Sequence, residues 1–307
     1  MTKKDRIAII GYGSQGQALA LNLRDSGYNV RVGLRPRSKS LAMTKKDKIK
    51  TATIPEVITD ANFIIIAIPD HIHAAVIDDK FFSLINKTTA LVFLHGSSIH
   101  FKQVTPPKEM PILLLAPHAP GVAVRENYLN KEPFSAFYSV HQGSLKKGIN
   151  KLIVLARAIG IPKSHLVKTT IGDEAVGDLF GEQAVLCGGL ARMLKFGFET
   201  LVEGGLPKQN AYLEVAYQLD LIVELVKKYG LDGMLKRISP MARYGSVING
   251  PNIIRPQVKK DMKKILSEIK SGKFLKKADR TKLKYSKKQY EKLVNSEFDI
   301  QVKKFKV

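Results

Sequence analysis

Apolar residues fall in short runs over the first half of the chain and at helical intervals over the second. Residues 7–10 form a short apolar run that enters Gly11-Tyr12-Gly13-Ser14-Gln15-Gly16, and residues 17–24 then carry apolar side chains at helical spacing. The pattern predicts strand, glycine turn and helix. Further runs at 29–34, 63–68, 90–94 and 112–116 predict buried strands alternating with helical stretches, and 136–140 is expected to extend the same sheet. Such alternation marks a doubly wound parallel sheet of the α/β class, with ligands held at the carboxyl ends of the strands. Past about Thr170 the β-branched runs stop, and 178–203, 209–229 and 257–270 show helical periodicity. An all-helical second domain follows, which places the domains at 1–170 and 171–307. Gly204-Gly205-Leu206-Pro207, Ser239-Pro240 and Gly250-Pro251 are expected to end or turn its helices.

Composition narrows the class. At 307 residues, 44% hydrophobic and 25% charged, the chain has ordinary globular usage and enough length for two domains. No apolar run approaches the roughly 20 residues of a membrane span, and the first ten residues lack the features of a secretory signal, so a cytoplasmic protein is expected. The single cysteine, Cys187, cannot form an internal disulfide and reads as a buried small residue. The net charge of +23 taken alone raises nucleic acid or an acidic membrane surface as a partner. No recognition helix, zinc finger or RNA-binding aromatic motif accompanies the lysines, which are densest from 259 to 306, so a solvated basic surface is the better reading.

The glycine motif gains its meaning from its place between a strand and a helix at the start of the alternating region. Gly11 suits a tight turn, Gly13 a close approach of backbone to a pyrophosphate, and Gly16 close packing of helix on strand, the fingerprint of a Rossmann dinucleotide site. Where an NAD site usually carries an acidic residue after the second strand, this chain reads Gly33-Leu34-Arg35-Pro36-Arg37-Ser38-Lys39-Ser40. Cations and hydroxyls there suit a 2′-phosphate, so NADP(H) is the expected cofactor.

Asp178 and Glu182 lie four apart, which on a helix puts both carboxylates on one face. Glu214 and Gln218 repeat the spacing. Two such helices facing each other would offer hard oxygen ligands suited to Mg²⁺, although acidic pairs on solvated helix faces are commoner than metal sites.

Four stretches extend these signals: 9–27 (IIGYGSQGQALALNLRDSG), 95–101 (HGSSIHF), 178–189 (DLFGEQAVLCGG) and 197–203 (GFETLVE). In these the chain resembles the class I ketol-acid reductoisomerases over nearly its whole length. The resemblance implies a Rossmann domain followed by a knotted helical domain, paired subunits that complete each other's sites, and a homodimer or higher homo-oligomer. It implies a magnesium-dependent alkyl shift in a 2-hydroxy-2-alkyl-3-oxo acid of the acetolactate type and reduction by NADPH, within branched-chain (valine and isoleucine) amino acid synthesis. By match of motif, Asp178, Glu182, Glu214 and Gln218 are the expected metal ligands, Ser239 a substrate contact, and His95 and His118 active-site residues. The cofactor residues are expected to be Gly11, Tyr12, Gly13, Ser14, Gln15, Gly16, Arg35, Ser38, Ser40, Asp70, His73 and Gly121.

The chain also departs from the family pattern. Gln218 stands for a fourth metal-binding glutamate, which removes one negative charge facing two divalent cations and is expected to weaken the second metal. His118 stands for a lysine and cannot supply the same fixed positive charge. Pro240 and Arg243 replace an asparagine and a glutamate near Ser239. These changes leave two other readings open: an NADPH-dependent reductase of 2-oxo or 3-oxo acids that has lost the alkyl shift, and a non-catalytic cofactor-binding paralogue.

Overall fold

The computed structural model describes residues 2–305, so Lys306, the last of the lysine-dense stretch, lies outside the described residues. The chain divides into two compact units, 1–176 and 177–307.

The first unit is built on an eight-stranded sheet of β1 (Arg6–Ile10), β2 (Asn29–Leu34), β3 (Thr51–Thr53), β4 (Phe63–Ile66), β5 (Ala90–Phe93), β6 (Ile112–Pro117), β7 (Ala136–Gln142) and β8 (Leu166–Lys168), in the order 3-2-1-4-5-6-7-8. Its apolar runs are continuous because both faces of each strand are covered. Ile7, Ile9, Phe63, Ile65, Ala90 and Val92 enter one core cluster. Their alternates Ala8, Ile10, Ile64, Ile66, Leu91 and Phe93 enter the other. The order reverses between β1 and β4, which pair in register from Ile7↔Phe63 to Ile10↔Ile66. That switch point opens the crevice where such sheets hold ligands.

Two details differ from the sequence reading. Thr51-Ala52-Thr53 and Leu166-Val167-Lys168 add short strands that carry too few buried side chains to stand out. The expectation of a parallel sheet holds from β3 to β6, whereas β7 runs antiparallel to β6, from Pro117↔Ala136 to Ile112↔Gln142. Hydrophobic alternation carries no strand direction, so the reversal was not visible in the pattern.

The second unit is helical throughout its described residues, and its first long segments are not uniform helices. Ile171–Gly181 passes into a π-helical turn at Glu182–Leu186 before Gly188–Glu203. Lys208–Tyr212 likewise passes into a π-turn at Leu213–Tyr217 before Leu219–Leu235, which is itself kinked at Gly230. The first widened turn is marked by the Cys187 amide donating to the Glu182 carbonyl, five residues back, at 3.0 Å. It also explains a glycine pair: a Cβ on Gly188 would lie 2.2 Å from the Gln183 carbonyl oxygen, and one on Gly189 would lie 2.3 Å from that of Ala184. Cys187 sits at this turn and is exposed, which corrects its reading as a buried residue. Among its described residues one small core cluster forms, with Phe198, Ala211 and Tyr212 packed against Phe298 and Val302 of the last helix and the adjoining Phe305.

Candidate active site

A cavity of about 700 Å³ opens at the switch point of the sheet unit. Gly11, Tyr12, Gly13, Ser14 and Gln15 form one wall, Arg35, Ser38 and Ser40 another, and Asp70, His73 and His95 a third. The turn after β1 needs its glycines for distinct reasons. Gly11 has φ +100°, and a Cβ there would lie 2.7 Å from the Ala67 carbonyl oxygen. Around Gly13 nothing would meet a Cβ within 4 Å, so the backbone is open to a ligand. Gly16 and Gly121 do not line the cavity. A Cβ on Gly16 would lie 2.5 Å from the Gly11 carbonyl oxygen, and one on Gly121 would lie 2.3 Å from the Ser14 backbone, so both glycines allow the chain to close behind the turn.

Asp47 holds the turn from the side, accepting a hydrogen bond from the Tyr12 hydroxyl and another from Gln17 Nε2, each at 2.8 Å. Burial, reinforced by this carboxylate, pushes the Tyr12 phenol well above its ordinary value, so it stays a protonated donor. Gln15 Nε2 donates to the Ala119 carbonyl at 2.8 Å and ties the turn to the segment before Gly121.

The third wall is a polar cluster. His73 is buried, its Nε2 lies 3.0 Å from the Ile68 carbonyl oxygen, and its Nδ1 lies 2.8 Å from Ser98 Oγ. A carbonyl only accepts, so Nε2 carries the proton and Nδ1 receives one from Ser98. Burial holds the His73 ring below the usual histidine range, against the opposing pull of the Asp70 charge. Asp70 Oδ2 also lies 3.1 Å from His95 Nδ1, and the Ser97 amide approaches the same nitrogen at 3.3 Å. One carboxylate thus orients the His95 ring at the cavity wall.

Two residues of the sheet unit were missed by the sequence reading. Asp47 sits 35 positions from Tyr12, and no local pattern joins them. Glu174, 4% exposed, accepts the Gly96 amide at 2.6 Å and holds the loop next to His95. Its signal was available, because Glu174, Asp178 and Glu182 continue one four-residue spacing. His118 is exposed, with Nδ1 2.9 Å from Ser135 Oγ and its ring edge-on to Phe137.

In the helical unit Asp178 and Glu182 are both exposed, one near the end of an α-helix and the other opening a π-turn. Glu214 lies within the second π-turn, and the Gln218 amide just beyond donates to Glu214 Oε2 at 3.2 Å. Ser239 caps the helix Pro240–Ile253, its hydroxyl accepting the Ala242 amide at 3.1 Å. Among the described residues of one chain, no three His, Cys, Asp or Glu side chains gather closely enough to hold a metal ion.

Residues 1–164 match the family model described as the NADPH-binding domain of acetohydroxy acid isomeroreductase, and 171–305 match that of the ketol-acid reductoisomerase C-terminal domain. An NADH-preferring ketol-acid reductoisomerase from an uncultured archaeon superposes with a TM-score of 0.91 at 31% identity, covering 98% of this chain and 94% of that one. A semialdehyde dehydrogenase NAD-binding protein from Cupriavidus necator superposes at TM-score 0.69 and 16% identity, over 87% of this chain and 99% of that one. A pyrroline-5-carboxylate reductase from Coxiella burnetii reaches 0.62 at 16% identity, over 87% and 98%. The last two share the fold alone. Matched by family models along both units and by a close structural relative over nearly its full length, the chain belongs to the ketol-acid reductoisomerases, a family of nicotinamide-dependent oxidoreductases.

Proposed function

We propose that this reductoisomerase is a magnesium-dependent, NADPH-preferring enzyme. It acts in the cytoplasm on 2-hydroxy-2-alkyl-3-oxo acids of the acetolactate type, in the synthesis of valine and isoleucine. The observation that carries the cofactor reading is the cavity itself, where an open glycine backbone faces Arg35, Ser38 and Ser40 across a space of about 700 Å³. An arginine fork and two hydroxyls match a 2′-phosphate, and no acidic residue stands in the segment 35–40 to accept from a free ribose hydroxyl pair. This chain and its 31%-identical archaeal relative, described as NADH-preferring, are thus expected to differ in cofactor choice.

The donor set proposed for magnesium is Asp178, Glu182, Glu214 and Gln218. All four offer oxygen, as a hard cation requires. Among the described residues of one chain no three acidic groups gather, and we assign the complete centre to a pair of subunits. Support for pairing comes from the helical unit, where Leu231, Met241, Tyr244, Val247 and Ile253 are each more than half exposed. Unshielded apolar area on that scale calls for a second copy to cover it. When bound, magnesium supplies Lewis-acid polarisation of the substrate oxygens and the dinucleotide supplies hydride. The chain's own residues bind and orient: Glu174 and Asp70 fix the His95 loop and ring, and Ser239 presents a hydroxyl for the substrate carboxylate. His118 offers a hydrogen-bonding imidazole where the family pattern has a lysine.

The deciding experiment measures the affinities of NADPH and NADH, with and without Arg35→Ala, and then turnover of acetolactate against its rearranged 3-hydroxy-2-oxo isomer. Tighter NADPH binding that Arg35→Ala abolishes, with turnover of both acids, is expected. Equal or tighter NADH binding overturns the cofactor reading, and reduction of the rearranged acid alone overturns the alkyl shift.

A further inference from the structure

A second cavity of about 360 Å³ lies at the opposite end of β2, lined by its first residues Asn29 and Val30, whereas the dinucleotide cavity takes its last, Gly33 and Leu34. No residue lines both cavities. Four cations surround it, Lys3, Arg24, Lys48 and Lys50, and no acidic side chain does. Like charges repel, so such a cluster persists around a concavity only where the backbone fixes it, and it concentrates positive potential there.

Two of the cations are held by the protein. The Arg24 guanidinium pairs with Asp25 at 2.7 Å and donates to the Asp47 carbonyl. The Lys3 ammonium donates to the Ser26 carbonyl and sits 3.9 Å over the Tyr28 ring. The other two are poised but uncommitted. Lys48 and Lys50 flank the buried Ile49, so the backbone there turns Ile49 into the core and leaves both lysines exposed. Among the described residues no carboxylate comes within ion-pair range of either. Lys48 adopts φ +54°, a left-handed conformation that lysine takes at a cost. The Ile49 amide, bonded to the Thr44 carbonyl at 2.9 Å, locks that conformation in place.

We propose that this cavity binds a small phosphorylated anion of the diphosphate type, clamped by Lys48 and Lys50 against the fixed cations Arg24 and Lys3. Its volume lies at the small end of ligand pockets, which suits a diphosphate or a nucleoside diphosphate and excludes a long polymer from lying within it. A generally basic surface attracts polyanions everywhere. This site differs in being concave, lined by no acidic side chain and partly immobilised.

The test is a calorimetric titration of the whole protein, its dinucleotide cavity first saturated with NADPH, against pyrophosphate and separately against ADP, at an ionic strength of about 0.15 M to screen diffuse attraction. Saturable binding at one site per chain is expected. The double variant Lys48→Glu with Lys50→Glu should weaken it by about tenfold or more, the loss of two charge-assisted contacts. The double variant Lys259→Glu with Lys260→Glu, which changes net charge equally, should leave it within about twofold. NADPH affinity retained in both variants shows that each is folded. Tighter binding of ADP than of pyrophosphate assigns a nucleotide ligand, and equal binding assigns the diphosphate alone. No saturable binding, or an equal loss in the two variants, overturns the proposal.

Discussion

Ile9, Phe93 and Leu114 of the sheet unit are buried by their own chain, while Leu231, Met241 and Val247 of the helical unit stand more than half exposed. Strands between two layers of helix bury side chains on both faces, so a parallel sheet completes its core within one chain. Helices with wide apolar faces and only a small internal cluster do not. The difference teaches that the first unit buries its own core, whereas the second leaves apolar faces that the proposed pairing of subunits would cover, which would tie its stability to protein concentration.

The comparison can be broken most sharply by removing a large side chain from each unit. Phe93→Ala should cost about 3–5 kcal/mol in denaturant unfolding, because the fully buried ring leaves a cavity between strands. Tyr244→Ala, at a residue 66% exposed, should cost less than about 0.5 kcal/mol in dilute protein and raise the dissociation constant of self-association, read by analytical ultracentrifugation. A parent protein that sediments as a monomer at every concentration would end the account of the helical unit. At the boundary between scaffold and site, Gly11→Val forces a β-branched residue to φ +100° against the Ala67 carbonyl, and NADPH affinity should fall by about thirtyfold or more, on the order of 2 kcal/mol.

Gln218→Glu tests the proposed metal centre. It restores a carboxylate beside Glu214 and should tighten magnesium binding in calorimetry by several-fold, and an unchanged titration would show that position 218 is not a ligand. The smallest effect concerns pH. Burial lowers the folded pKa of His73 below its unfolded value near 6.5, so the unfolded chain binds more protons in that window. The stability from a neutral His73 is fully present above about 6.5 and is lost as pH falls through the lower folded pKa. His73→Gln should flatten the fall of unfolding free energy as pH drops below about 6.5, read from denaturant unfolding across a pH series.

Legibility followed the same division. The central strands were visible because burial on both faces writes an uninterrupted apolar run, and the dinucleotide turn because its residues are consecutive. Asp47 and Glu174 were hidden because each acts on a segment far along the chain, 35 and 78 positions away. The faces of the helical unit were harder to read. A four-residue spacing such as Asp178 to Glu182 looks the same whether the next turn is α or π, and only the Gly188-Gly189 pair hints at the wider one. Cys187 was misjudged for this reason. A lone cysteine without disulfide or zinc partners reads as a buried small residue, yet it sits at the turn itself and is exposed.

That widened turn reaches beyond its five residues. An extra residue in one turn rotates everything downstream by about 100° about the helix axis, so the side chains of Gly188–Glu203 point where an uninterrupted helix would have aimed their neighbours. Deleting Gln183 would restore an ordinary spiral and swing Phe198 away from Tyr212 and Phe298, turning the unit's small nucleus inside out without altering a single apolar side chain.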